Sequence, residues 1–246
     1  MQKSGIRLYV EEPLGGGVEL LVGGEAHHYL RNVMRCKAGE GVALFNGRDG
    51  EWRAEILAVG KKEVRLLVGE RVAGQGKPAA LTLFFAPVKL APVEYMLQKA
   101  TEMGVSCVAP VWVEHSAVRR FNERRVRANL VLAAQQCGID YVPDVLPPVK
   151  LAEAVGAFKG EIIFCDEGAG RKSALSVLQG LSGGNVGILI GAEGGFSDRE
   201  RGFLLGLSHI HQVSLGKRVL RADTAALAAL SLWQAVLESR HDTEKK

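Results

Sequence analysis

Two turns in the last quarter of the chain hold the residues whose types and spacing suit chemistry. The first, Gly191-Ala192-Glu193-Gly194-Gly195, follows an apolar run and precedes Ser197-Asp198-Arg199-Glu200. Glycines let a ligand approach bare backbone N–H groups. The Ser-x-x-Glu spacing behind them is a capping box, which starts a helix there. The second turn, Leu215 to Arg221, places Lys217, Arg218 and Arg221 just ahead of Asp223 and Thr224. A pair of guanidiniums can hold a phosphate or an electron-rich base edge. Backbone binding at one turn and cations at the next suggest chemistry on nucleic acid. Plainer readings compete: a tight strand-to-helix turn, a pair of surface cations, and Asp223 as the N-cap of an Ala/Leu-rich helix. A net positive turn, however, opposes a helix N-terminus through the dipole, which weakens the surface-cation reading.

Other chemistries lose ground. No G-x-G-x-x-G follows the first strand of the later half, and no G-x-x-x-x-G-K-[ST] occurs. Rossmann hydride transfer and P-loop chemistry therefore have little support. His27 and His28 are adjacent and cannot share a helix face. His209 and His211 suit one side of a strand but no acidic cluster joins them, so no metal site is expected. Cys36, Cys107, Cys137 and Cys165 are scattered without C-x-x-C spacing, which suits a reducing, cytoplasmic setting.

The chain has 246 residues, 47% hydrophobic and 24% charged, in keeping with one or two globular domains. No run is long enough for a membrane span, and the N-terminus lacks the apolar segment of a signal peptide. Net charge is +4, which permits a nucleic-acid partner without requiring one. Arg119, Arg120, Arg124, Arg125 and Arg127 crowd one segment; phosphate contact and a solvated helix face explain them equally well.

The elements that must position these residues fall into two halves. Ile6–Val10, Val18–Val22, Val42–Phe45, Trp52–Val59 and Val64–Val72 read as strands of a small barrel. Asn46 to Gly50 is a hairpin loop, and Glu25–Arg35 is a short helix. The barrel is expected over 1–72 and a linker over 73–80, around Ala73-Gly74-Gln75-Gly76-Lys77-Pro78. An α/β domain over 81–246 follows, because strand and helix patterns alternate there. Its strands are expected at Leu81–Ala86, Cys107–Val113, Val142–Leu146, Glu161–Cys165, Gly187–Ile190 and Gln212–Leu215. A helix is expected from Pro92, with Val93, Met96, Leu97, Ala100 and Met103 on one face, and others over Asn122–Cys137 and Asp223–Ser239. Residues 241–246 read as a frayed tail.

With these residues set out, IGAEGGFSDRE and LGKRVLRADTAALAAL closely resemble the two signature segments of the RsmE family, the 16S ribosomal RNA (uracil-N3)-methyltransferases of the SPOUT superfamily. Leu97 to Val105 is similar to the family's QKATELGV, Ala133 to Gly138 to its AAEQ segment, and His27 to Arg35 to its H-x-x-V-L-R pattern. The likeness covers nearly the whole chain in order. It implies a PUA-like β-barrel followed by a SPOUT α/β domain with a trefoil knot. It also implies bound S-adenosylmethionine and an active site shared across a homodimer. By family position the cofactor loops are Cys165, Asp166 and Glu167; Ile190, Gly191, Glu193, Gly194 and Gly195; and Leu215, Gly216, Val219 and Leu220. Arg218, Arg221 and Asp223 become the catalytic candidates. Arg31, Arg35, Arg119 and Arg120 become the RNA contacts, on 16S rRNA within the small ribosomal subunit.

Five positions depart from the family pattern. Ala192 stands where Pro is usual, Asp223 for Glu, Gln135 for Glu, Ile139 for Arg and His115 for Arg. Two alternatives stay open from the sequence: a non-catalytic RNA-binding or ribosome-assembly protein, and a methyltransferase of another RNA site.

Overall fold

A computed structural model describes residues 5–87, 90–116, 120–169 and 173–244. The chain divides into two compact units, one built from residues up to 77 with 131–142, the other from 78–130 with 143–246.

The first unit is a five-stranded mixed sheet. Its strands are β1 (Arg7–Tyr9), β2 (Glu19–Gly23), β3 (Gly41–Phe45), β4 (Glu51–Val59) and β5 (Glu63–Ala73), in the order β1-β3-β4-β5-β2. β1 runs parallel to β3 and every other neighbour is antiparallel. Register shifts along the long β4–β5 pair mark bulges, which bend and twist a sheet. Alternation aims Leu20, Val22, Val64, Leu66 and Val68 at the core, joined by Val42, Leu44, Ala54 and Ile56. No ladder joins β1 to β2 among the described residues. The expected helix over Glu25–Arg35 is α1 (Gly24–His28) running into a π-helical turn at Tyr29–Val33. Only Leu30 of that turn is buried.

Residues 131–142 lie within the 81–246 segment yet pack with this unit. The contacts are specific. Gln135 Oε1 accepts the Tyr9 N–H at 3.0 Å. Arg7 lies over the Phe45 ring, pairs with Glu51 at 2.7 Å, and donates to the Ala134 and Ile139 carbonyls. One departure from the family pattern therefore has a local job. Gln135 holds β1 through its side chain, whereas Ile139 contributes only a backbone carbonyl, and its side chain has no role in that contact.

The second unit is a parallel sheet of β6 (Leu81–Phe85), β7 (Cys107–Trp112), β8 (Asp144–Val145), β9 (Val149–Lys150), β10 (Glu161–Cys165), β11 (Val186–Ile190) and β12 (Ile210–Val213). The order is β12-β10-β11-β6-β7-β8, with β9 also on β7. β6 and β11 are buried at every residue, as befits strands covered on both faces. The helices are α2 (Leu90–Glu102), α3 (Glu123–Cys137), α4 (Leu151–Ala157), α5 (Ala174–Gln179), α6 (Asp198–Leu205) and α7 (Ala222–Glu244). Val93, Met96, Leu97 and Ala100 form the buried face of α2, and Gly104 follows it at φ 79°. α7 packs on α2, α5 and β11 through Ala226, Ala229, Leu230 and the buried Trp233.

Two expectations change at α7. The helix continues to Glu244, well past Ser239. Asp223 is not its N-cap: Ala222 is already helical, and the Arg221 carbonyl accepts the Ala225 N–H at 2.8 Å. Near the other turn, β12 begins at Ile210 and ends at Val213, two residues earlier than its pattern suggested.

Candidate active site

The residues of this chain that line the candidate site all belong to the second unit. β10 pairs with β11 on one side and β12 on the other, all parallel, so the segments after the three strands leave the same sheet edge. The chain steps from β10 to β11, then back past β10 to β12. Such a reversal of strand order at the carboxyl edge is where open α/β sheets bind ligands. Ser173 bridges Ser214 beyond the strands, so the segments after β10 and β12 run side by side.

A small open cleft of about 60 Å³ lies there. Cys165, Asp166 and Glu167 line it from β10; Leu215, Gly216, Val219 and Leu220 line it from β12. Arg218 and Ala225 complete the wall. Val219 is 83% exposed, an uncommon degree for an aliphatic side chain. Gly216 has φ 120°, a backbone state that side chains disfavour. Burial raises the Cys165 thiol to about 12, so it stays protonated and serves as wall rather than nucleophile.

The glycine turn does not line this cleft. Ile190 is buried in β11, Glu193 and Gly194 are exposed, and Gly195 takes φ 66° with its N–H on the Ala192 carbonyl. Gly191 is forced by packing: a Cβ there would come within 2.7 Å of the Phe196 ring, which is itself seated edge-on against Phe164. Ala192 is buried in the same core. The capping box forms as spaced, with Ser197 Oγ accepting the Glu200 N–H and Glu200 Oε2 accepting the Ser197 N–H. Glu200 Oε1 also takes the Glu114 N–H at 2.9 Å, and His115 Nδ1 meets the Gly194 carbonyl at 3.0 Å. The segment after β7 is thereby tied to the glycine turn.

Asp166 is engaged rather than open. Its side chain is fully buried and accepts from Arg201 Nε at 3.1 Å, Gln212 Nε2 at 2.8 Å and the Gly168 N–H at 3.2 Å. Arg201 also pairs with Glu167. Burial works against the charge of Arg201, but Asp166 and then Glu167 outweigh it and raise its pKa. Arg201 and Gln212 are absent from the sequence-derived site. An arginine on a short helix and a glutamine in a strand carry no local mark.

Arg218 and Arg221 are exposed. Arg221 Nε stands 3.9 Å from Asp223 Oδ1, and that oxygen accepts the Thr224 N–H at 2.8 Å. In the first unit, Arg31 is exposed and donates to the Gly60 carbonyl at 2.8 Å. Arg35 is exposed at φ 54°, and Arg120 is exposed in the second unit. Arg119 lies outside the described residues. His211 pairs with Glu161 and His209 with the Val155 carbonyl. No metal-holding group of three ligands occurs among the described residues.

Residues 75–234 match the RNA methyltransferase domain family, and residues 22–68 match the RNA methyltransferase PUA domain. The chain belongs to the RNA methyltransferase family. It is 26% identical to the ribosomal RNA small subunit methyltransferase E of Rickettsia conorii, over 92% of this chain and 93% of that one. To the Synechocystis protein of the same name it is 29% identical, over 86% of this chain and 71% of the other. A putative methyltransferase of Legionella pneumophila, solved with S-adenosylmethionine, superposes with TM-score 0.84 at 32% identity, covering 94% of this chain and 97% of that one. The Neisseria gonorrhoeae ribosomal RNA small subunit methyltransferase E, also with S-adenosylmethionine, gives TM-score 0.82 at 27% identity over 94% and 97%. The α/β unit is thus a methyltransferase domain and the mixed sheet a PUA-like one. No helix among the described residues is long and apolar enough to cross a membrane.

Proposed function

We propose that this RNA methyltransferase transfers a methyl group from S-adenosylmethionine to N3 of a uracil in 16S ribosomal RNA. The observation that carries the reading is the convergence, at one sheet edge, of the segments after β10, β11 and β12 in a chain that aligns almost end to end with small-subunit methyltransferases. The cleft residues fit the cofactor. Val219 and Leu220 offer aliphatic surface to a purine, Gly216 brings backbone close, and Glu167 presents a carboxylate half open to solvent. The glycine turn, Gly191 to Gly195, leaves the same edge after β11 and, with its bare backbone, would hold the cofactor from outside this cleft.

Bound there, S-adenosylmethionine supplies a methyl group on a positively charged sulfur. The protein's remaining tasks are positioning and charge stabilisation. N3 of uracil must lose its proton to attack. Asp223, held by the Thr224 N–H beside Arg221, accepts that proton. Arg218 and Arg221 neutralise the charge that develops on O2 or O4. Arg31, Arg35, Arg119 and Arg120 hold the RNA backbone, which fixes register without reading sequence. The chain acts in the cytoplasm as a homodimer whose partner completes the site.

The test is nucleoside analysis of 16S rRNA, in isolated small subunits and free, after incubation with isotopically labelled S-adenosylmethionine. Labelled 3-methyluridine is the expected product. A different methylated nucleoside would reject the uracil-N3 assignment. Cofactor binding with no methylation of either substrate would move the function to RNA binding or subunit assembly.

A further inference from the structure

Arg201 lies in neither turn, yet it touches what surrounds both. Its Nε reaches the fully buried Asp166, which also receives Gln212 from β12, and its Nη2 pairs with Glu167. Gly195 completes the arrangement by lacking a side chain. A Cβ there would stand 2.9 Å from Glu167 Oε1 and 3.5 Å from Arg201 Nη2. The backbone of the glycine turn therefore lies directly against the Arg201–Glu167 pair. One guanidinium on α6 thus meets the segment after β10, abuts the turn after β11 and reaches β12 through Asp166.

The chemistry of the group explains why an arginine is used. A buried carboxylate without a cation is costly, so Asp166 needs a partner. A guanidinium alone offers divergent donors in one rigid plane, enough to hold two adjacent carboxylates in different directions. Lysine is a point charge and holds one geometry less well. Glu167 without Arg201 is a half-exposed side chain free to turn into the cleft or away from it.

We propose that Arg201 is a positioning residue of the cofactor site, setting the spacing of the cleft wall and the glycine turn. The proposal rests on the reading of this edge as the S-adenosylmethionine site. It separates from that reading by measurement. Calorimetric titration with S-adenosylmethionine and steady-state kinetics on small subunits are run for wild type, Arg201→Ala and Arg201→Lys. Arg201→Ala is expected to bind the cofactor about tenfold more weakly, the scale of one lost charge-assisted hydrogen bond. Its KM for the cofactor rises in parallel, while KM for RNA and kcat at saturating cofactor stay within about twofold. Arg201→Lys restores charge beside Asp166 and part of the affinity. Wild-type cofactor affinity in Arg201→Ala overturns the proposal, as does a fall in kcat with unchanged cofactor KM. Should Arg201→Ala fail to fold, Arg201→Lys decides alone: weakened cofactor binding with normal RNA KM supports the role, and wild-type binding rejects it. Wild type that binds no cofactor overturns the site reading and this proposal together.

Discussion

Adding one methyl group at Gly195 should be unusually costly for a surface turn. The residue sits at φ 66°, where an L side chain costs about 1–2 kcal/mol of backbone strain. The new Cβ also stands 2.9 Å from Glu167 Oε1, closer than a methyl and a carboxylate oxygen can rest. That oxygen is the tip of a flexible side chain and can yield, but yielding breaks its pair with Arg201. A half-exposed pair of this kind contributes roughly 0.2–1 kcal/mol. The two terms sum to about 1.2–3 kcal/mol, or a fall of roughly 3–10 °C in the unfolding temperature of this unit. Scanning calorimetry of wild type, Gly195→Ala, Glu167→Ala and the double variant separates the terms. Glu167→Ala removes the clash but leaves the strain, so the double variant should lose about 0.5 kcal/mol less than the sum of the singles. Strict additivity would reject the contact. A Gly195→Ala transition within about 1 °C of wild type would reject the strain as well.

Other consequences follow from the same geometry. Arg218→Ala and Arg221→Ala should each lower kcat by about a hundredfold with little change in melting temperature, since both side chains are exposed; stopped-time methylation assays and calorimetry check this together. Normal turnover in both variants would remove them from the mechanism. Arg7→Met should destabilise the first unit by about 3 kcal/mol, because it strands Glu51 and two carbonyls, and urea titration of the Trp52 signal should report it. Alkaline pH should destabilise the fold. Burial first, then Asp140 and Cys137, push Tyr141 up to about 12, and burial pushes Cys165 up to about 12. Unfolded, the ordinary values are 10.0 and 9.0, so above about pH 9 the unfolded chain releases protons that the folded one keeps. The contribution is complete below pH 9 and lost as pH rises toward 12, so melting temperatures at pH 8, 9 and 10 should be level and then fall, and Cys165→Ala should flatten the decline.

What was legible in the chain was local. β6 and β11 are short, wholly apolar runs, and such runs mark strands buried on both faces whatever lies beside them. Ser197 and Glu200 announce a helix start because both partners of the capping box lie within three residues. The segments bearing Cys165–Glu167 and Leu215–Leu220 were marked by resemblance, and the parallel sheet brings them to one cleft. What escaped was convergent. Gln212 and Arg201 meet Asp166 from 46 and 35 residues away, and neither residue type at its position differs from a solvated one. The N-cap reading of Asp223 fails for a related reason. An Asp ahead of an apolar helix suits an N-cap, but here the helix opens one residue earlier, and the carboxylate bonds the next residue's N–H. Residues 131–142 escape assignment to the first unit from pattern alone, since the attachment runs through single polar groups far apart in the chain: Gln135 on Tyr9, the Ala134 and Ile139 carbonyls on Arg7, and Asp140 on the Gly76 N–H.

The distribution of partners among the arginines then bears on which of them can meet substrate. Arg201 has its charge matched by the fully buried Asp166 and by Glu167, with Asp198 a further neighbour at 3.9 Å. Arg218 makes no ion pair among the described residues, and Arg221 has only Asp223 at 3.9 Å. Both sit on the segment that lines or follows the cleft, ahead of a helix whose dipole already makes that end positive. Cations at the positive end of a helix are unfavourable in the free protein, and Asp223 offsets only part of this at Arg221. An anionic ligand at that end offsets the unfavourable charge. Neutralising either arginine should therefore stabilise the free protein slightly while weakening RNA binding and reducing its salt dependence. A variant that lost stability and kept the salt slope would place these arginines in the structure rather than at the substrate.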